Sequence, residues 1–332
     1  MQRGAEVARF KVVVTDQVFP DTAVEQAAFA ELGWSFDVAD GSYDDIVARA
    51  HDADALLNTY VAVTAELMDR LPRLQVVARY GIGVDNVDLA AATDRGVVVT
   101  NVPDYCVDEV ATHALALILD AMRRVTDGDR LVRAGGWGLS GLRPIRRASD
   151  WTVGLVGFGR IARRLAQFLA PLGCTILVHD PYVVDAGPDV ESIELDGLLR
   201  RSDLVSLHVP ATDATRHLIG GRELELMRPD AVLVNTSRGA LVDTGALVDA
   251  LRCGRIRAAA IDVLETEPPP AGLLDGLETL LVTPHMAYYS EQAIAESQQK
   301  ATSQIVKVLT GKAPDYQVNK SFALSEGEVP AP

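Results

Sequence analysis

Residues 151–182, WTVGLVGFGRIARRLAQFLAPLGCTILVHDPY, decide the fold. They read as a strand, a glycine turn, a helix and a second strand that ends in an acid. Val153, Leu155 and Val156 run into Gly157, Phe158 and Gly159, where missing β-carbons let the chain turn sharply and approach a pyrophosphate. The helix opening at Arg160 and Ile161 aims its free N–H groups and the positive end of its dipole at such an anion. Asp180 follows about twenty residues on, where a carboxylate accepts from a ribose 2′-hydroxyl and repels a 2′-phosphate, so NAD is expected over NADP. Ala162 stands in the third glycine position, which asks only for a small residue. The competing reading is a ligand-free tight turn in an α/β sheet; the strand, helix and acid around it favour the dinucleotide.

The chain has 332 residues, more than one hydrophobic core ordinarily organises, so two domains are expected. An apolar content of 48% is ample for both. The formal charge of −15 argues against nucleic acid or an anionic membrane as the main partner. Arg123, Arg124, Arg130, Arg133, Arg143, Arg146 and Arg147 form a local exception, readable as a solvated connection with ion pairs or as a phosphate-facing rim. Cys106, Cys174 and Cys253 have neither C-x-x-C spacing nor histidines at zinc distance. They are expected to be small core hydrophobes in a reducing compartment, with no metal. A short polar lead runs straight into KVVV, and no stretch approaches 18 apolar residues, so a cytoplasmic protein without membrane contact is expected.

The first hundred residues alternate β-branched runs (12–14, 36–38, 55–57, 74–78, 97–100) with amphipathic stretches (after Asp21, 44–50, 65–71). A second alternation starts at Trp151 and continues through 204–208, 231–235, 258–262 and 280–283. The fold class is therefore α/β, with two doubly wound parallel-sheet domains. Residues 107–125 are apolar around nearly the whole circumference of a helix, which predicts burial between domains or subunits. A last amphipathic helix spans 291–309 and stops before Gly311 and Pro314. The tail from Ser325, SEGEVPAP, is a poor core former.

Three polar residues fall at strand ends of the second alternation, on the edge where open α/β sheets bind ligands: Arg238 in VLVNTSRGALVD, Glu267 in AAIDVLETEP and His285 in LVTPHMAYYS. Each has a plain alternative as a surface, loop or turn residue. Together they supply what hydride transfer to or from an acid requires. A guanidinium clamps the carboxylate, an imidazole carries the hydroxyl proton, and a carboxylate orients the imidazole.

GLVGFGRIA, LHVPATDATRHLI, NTSRGALVD, AAIDVLETEPP and TPHMAYYSEQA resemble, in order and spacing, the signatures of the D-isomer-specific 2-hydroxyacid dehydrogenases. RYGIGVDNVDLAAATDRGVVVTNVPDYCVDE extends the likeness over nearly all of residues 11–318. Within that family, TPHMAYYSE with NVPDYCVDEVATHALAL looks most like the branch of the C-terminal-binding-protein corepressors. The resemblance implies a Rossmann NAD domain, 103–287, inserted into a flavodoxin-like substrate domain, 1–102 with 288–332. It implies that Arg238 binds the carboxylate and carbonyl oxygen, that His285 is the acid/base and that Glu267 holds the imidazole. The N–H groups of Gly81, Ile82 and Gly83 would receive the carboxylate. Asp262, Thr236, Ser237 and Arg238, with His208, Val209, Pro210 and Thr215, would line the nicotinamide and ribose side, and Thr112 would face the cofactor too. A homodimer through 107–125 and the arginine-rich segment is expected.

Tyr288 stands where the corepressor branch carries a tryptophan, so the side-chain pocket differs in shape. Arg79 matches a substrate-side arginine of that branch or makes a strand-end salt bridge. Tyr60 and Tyr105 line the acyl pocket or simply cover loops, and His113, in an apolar helix, reads as a buried histidine with a partner. The reaction expected is interconversion of a 2-oxo acid and its 2-hydroxy acid. The alternative is an NAD(H)-sensing dimeric binding protein with little turnover.

Overall fold

The computed structural model of the protein describes residues 10–183, 185–188 and 190–319; most of the polar lead and the tail from Ser325 lie outside them. The chain forms two compact units, Met1–Tyr105 with Glu291–Pro332 and, between them in sequence, Cys106–Ser290.

The first unit runs β1 (Lys11–Val14), α1 (Ala23–Glu31), β2 (Ser35–Val38), α2 (Tyr43–Ala50), β3 (Ala55–Asn58), α3 (Ala65–Asp69), β4 (Val76–Arg79), α4 (Leu89–Asp94) and β5 (Val98–Thr100). Its five strands are parallel in the order β2-β1-β3-β4-β5, the order of flavodoxin-like sheets. Val12, Val13, Val14, Leu56, Leu57, Val76 and Val77 are all 0% exposed, as expected of strands covered by helices on both faces. Helix starts follow from local chemistry. Ser42 accepts from Asp45 N–H at the start of α2, and Asp88 from Ala91 N–H (2.9 Å) at the start of α4.

The second unit runs α5 (Val107–Arg123), α6 (Val125–Arg133), β6 (Thr152–Val156), α7 (Arg160–Leu169), β7 (Thr175–His179), β8 (Glu191–Ser192), α8 (Leu195–Arg201), β9 (Leu204–Leu207), α9 (Gly221–Leu226), β10 (Val232–Asn235), α10 (Thr244–Arg252), β11 (Ala258–Ile261) and β12 (Leu280–Val282). Its parallel sheet has the order β12-β11-β10-β9-β6-β7-β8, which reverses between β6 and β9 and so opens a ligand crevice at their carboxyl ends. Alternate strand residues serve two cores. Leu155, Val232 and Val234 face α5 and α7, while Val156, Val205 and Leu233 face α8 and α10.

The helix expected over 107–125 differs from its reading. Val110, Ala111, Ala114, Leu117, Ile118 and Met122 are buried on one side, whereas Thr112 and Ala116 are exposed. The chain breaks at Arg124, in the left-handed region at φ 54°, before α6, which buries nothing. The arginine window makes ion pairs: Arg124 with Asp127 (2.7 Å), Arg133 with Asp129 (2.7 Å) and Arg146 with Asp203 (2.9 Å).

The chain returns to the first unit as α11 (Glu291–Leu309). Its buried face is partly polar, with Ser297 donating to the Tyr80 carbonyl and Gln298 to the Glu25 carboxylate (3.1 Å). Glu25 also accepts from the Tyr80 hydroxyl (2.7 Å), and burial raises its carboxyl above the ordinary value. Beyond α11, Asn319 clasps the edge strand by accepting from Val99 N–H (2.8 Å) and donating to the Val97 carbonyl (2.8 Å). Asn319→Ala leaves those groups unpaired at a site 8% exposed, and is expected to cost about 1–3 kcal/mol, read as a lower denaturation midpoint. An unchanged midpoint would show that the clasp does not hold the returning chain.

Candidate active site

Three loops at the carboxyl ends of β10, β11 and β12 carry Arg238, Glu267 and His285, and each has a local cause. Asn235, last in β10, accepts from Ser237 N–H (3.0 Å) and donates to the Arg238 carbonyl (2.8 Å), a side-chain turn that presents Arg238. Gly239 then packs under the next loop: a β-carbon there would lie 2.0 Å from the Leu264 carbonyl carbon, so only glycine fits. That loop folds back on itself through Leu264 N–H, which donates to Glu267 Oε1 (2.8 Å).

His285 sits in the left-handed region at φ 53°, unusual for a residue with a β-carbon. Asp262 holds it there. Its carbonyl accepts from His285 N–H (2.8 Å), its Oδ1 from Met286 N–H (3.0 Å) and its Oδ2 from Ala287 N–H (2.8 Å). The Thr283 hydroxyl donates to Oδ1 as well (2.5 Å). Asp262 is 2% exposed and thus bonded at both oxygens. These bonds give Asp262, which the resemblance places on the nicotinamide side, a structural part in the turn as well. Thr283 was not singled out from the sequence, although its place two residues before His285 was a signal.

His285 Nδ1 lies 2.7 Å from Glu267 Oε2. An ionised carboxylate only accepts, so Nδ1 carries the proton and, in the neutral ring, Nε2 carries the basic lone pair. Burial pushes the Glu267 carboxyl up, but the bonds from His285 and Leu264 N–H and the charges of His285 and Arg238 outweigh it and leave it below the ordinary value. Glu267 is therefore ionised at neutral pH. The rings of His285 and Tyr288 meet edge to face at 6.2 Å.

The dinucleotide turn fits its ligand. Gly157, at φ 87°, would meet the His208 carbonyl 2.8 Å from an added β-carbon, which brings the turn against the 208–210 segment, whereas beside Gly159 nothing lies within 4 Å. Phe158 N–H donates to Asp180 Oδ2 (2.8 Å) and Tyr182 N–H to Oδ1 (2.9 Å), so the acid is already oriented at the end of β7. Thr236, 6% exposed, keeps a buried hydroxyl with no hydrogen-bond partner among the described residues. Thr215 closes its own loop by donating to the Pro210 carbonyl (2.7 Å), and the Thr112 hydroxyl donates back to the Asp108 carbonyl. In the first unit the Arg79 guanidinium lies against Gly81, in the space a β-carbon would fill. The Gly81 and Ile82 carbonyls are tied to Val102 N–H (3.1 Å) and the Asn101 amide (2.7 Å), which fixes the turn through Gly83 by its carbonyl side. Tyr60 is 46% exposed and its N–H donates to Asp16 (2.6 Å); Tyr105 is buried. Among the described residues no cluster of potential metal ligands is present, and no helix is long and apolar enough to cross a membrane.

The His208 imidazole, bonded to Ser206 Oγ (2.9 Å), is pushed down to about 4 by burial. The neutral form is the one the fold accommodates. The unfolded chain protonates near its ordinary value of 6.5, so stability present above that pH declines as pH falls from there towards 4, by about 3 kcal/mol at most. His208→Gln should flatten this limb in denaturation midpoints compared at neutral and acid pH. Parallel limbs in variant and wild type would refute it.

Residues 115–287 match the family model described as D-isomer specific 2-hydroxyacid dehydrogenase, NAD binding domain. A glyoxylate reductase of Aeropyrum pernix is 37% identical over 94% of this chain and 96% of its own length. A D-3-phosphoglycerate dehydrogenase of Methanocaldococcus jannaschii is 34% identical over 93% of this chain, which spans 59% of that protein. The D-lactate dehydrogenase of Aquifex aeolicus, solved with NAD and lactic acid, superposes with a TM-score of 0.84 at 25% identity, over 93% of this chain and 99% of that one.

Proposed function

The chain belongs to the D-isomer-specific 2-hydroxyacid dehydrogenases, and from that premise we propose that it reduces a small 2-oxo acid, glyoxylate first among them, to the 2-hydroxy acid with NADH. The observation that carries this reading is the 2.7 Å bond that His285 Nδ1 donates to Glu267, which makes Nε2 the basic nitrogen of the ring, while the charge of Arg238 reaches the same carboxylate. Glyoxylate is favoured because the reductase of Aeropyrum pernix matches this chain almost end to end, whereas the phosphoglycerate relative is much longer.

The cofactor is held by the Gly157, Phe158 and Gly159 turn, the opening of α7 at Arg160 and Ile161, Asp180, residues 208–210 and the buried hydroxyl of Thr236. When bound, it supplies the hydride that reaches C2. Arg238 grips the carboxylate and the 2-oxo oxygen, and stabilises the negative charge that grows there. The His285 imidazolium gives its Nε2 proton to that oxygen, while ionised Glu267 keeps the ring oriented and balances its charge. In the oxidative direction neutral His285 takes the hydroxyl proton. On the first unit, Arg79 and the N–H groups of Gly81, Ile82 and Gly83 offer a turn suited to a carboxylate; on the second, Tyr288 meets the His285 ring edge to face and shapes the space beside it.

Val125, Val132, Trp137 and Leu139 are 62%, 50%, 89% and 55% exposed on α6 and the segment behind it, which supports a homodimer through this surface. Among the described residues Cys106, Cys174 and Cys253 form no disulfide, in accord with a reducing compartment such as the cytoplasm. The corepressor-type alternative draws on no comparable observation, since the relatives above are named as reductases and dehydrogenases.

Following the nicotinamide absorbance over a panel of 2-oxo acids should show NADH consumption with glyoxylate. His285→Ala should lower kcat by about 100-fold or more while leaving NADH affinity within about threefold. Arg238→Lys keeps the charge but loses the fork, and should lower kcat/KM about 100-fold. Silence across the whole panel, or a His285→Ala enzyme of ordinary turnover, would falsify the assignment. Sedimentation as a monomer at micromolar concentration would remove the dimer.

A further inference from the structure

We propose that His113, on α5, is a positioning residue that acts through Thr283 and Asp262 on the left-handed turn presenting His285. This deepens the function proposed above and rests on it. His113 Nε2 stands 3.0 Å from Thr283 Oγ1, which stands 2.5 Å from Asp262 Oδ1. The carboxylate cannot donate, so the hydroxyl must. Its oxygen then accepts from His113, and the His113 proton is assigned to Nε2. Hydrogen bonds thus point one way, from His113 to Thr283 to Asp262, while the same carboxylate gathers Met286 and Ala287 N–H from the other side.

The reason such a chain is needed lies in the backbone. An L-residue at positive φ is strained and persists only where its surroundings fix it. His285 is at φ 53°, and Asp262 provides the fixing bonds. The Thr283 hydroxyl braces Asp262 Oδ1 alongside those N–H groups, and its orientation is set fully only when something defines its acceptor side as well. His113 does so from α5, whose neighbouring residues Ala111 and Ala114 are 0% exposed and anchored in the core. Nε2 also lies 3.6 Å from Asp262 Oδ1, so loss of this donor leaves a buried carboxylate less well satisfied. A histidine that merely filled space under the loop would be replaceable by leucine. A donor in a directional chain is replaceable only by another donor.

The test uses the full chain with NADH and glyoxylate, and the variants His113→Leu, His113→Gln, Thr283→Val and the His113→Leu, Thr283→Val pair. His113→Leu and Thr283→Val are each expected to lower kcat about tenfold, with NADH affinity within about twofold. His113→Gln, whose amide keeps a donor, is expected to restore most of the rate, and the pair to be no worse than either single change. A second readout does not depend on turnover: the rate at which diethyl pyrocarbonate acylates His285, mapped by mass spectrometry, should change several-fold in His113→Leu and return in His113→Gln. Wild-type kcat and acylation rate in His113→Leu, or equal losses in His113→Gln and His113→Leu, would overturn the proposal. Should the wild type reduce no 2-oxo acid, the function falls instead, and the acylation rates still decide whether His113 governs His285.

Discussion

The chemistry rests on a residue held where side chains seldom go. His285 occupies a left-handed turn because Asp262, at the end of β11, binds the N–H groups of residues 285, 286 and 287 together. The turn aims Nδ1 at Glu267, and Glu267 is aimed in its turn by Leu264 N–H. The loop carrying Glu267 comes close only because Gly239, one residue beyond Arg238, lacks a β-carbon. Each of the three loops therefore depends on its neighbour across the strand ends, and the parallel order of β10, β11 and β12 sets the neighbours.

Much of this was legible in the sequence where the signal is local. The glycine turn, the acid closing β7 and the extent of α11 follow from residues a few positions apart, whose periodicity and backbone needs are written in the chain itself. The triad was legible because strand ends of a parallel sheet converge on one edge, so residues far apart in sequence share it. Less legible were features set by contacts across long separations. The break at Arg124 is invisible in a run of apolar residues, since periodicity continues through it. The bonds that tie Asp262 into the turn, and the meeting of His113 with Thr283, depend on which helix covers which strand end. A histidine in an apolar helix announces a partner without naming it.

The proposed binding turns of the two units are built by different means. In the second, open space lies beside Gly159, and the Thr236 hydroxyl is buried with no hydrogen-bond partner among the described residues. In the first, the turn at residues 81–83 is braced from behind through its carbonyls, and Tyr80 just before it is tied to Glu25 and, through its carbonyl, to Ser297 of the returning helix. Rigidity there comes from helix α11, a segment separated from the turn by the whole of the second unit in sequence.

Asp180 has a wider consequence. Its two oxygens already staple Phe158 and Tyr182, so this acid is a strut of the glycine turn beside its proposed part in selecting the ribose. Drift towards the phosphorylated coenzyme could not proceed by trading this one side chain for a neutral one. Any replacement would also have to hold Phe158 and Tyr182 N–H, which couples the chemistry of that position to the shape of the turn.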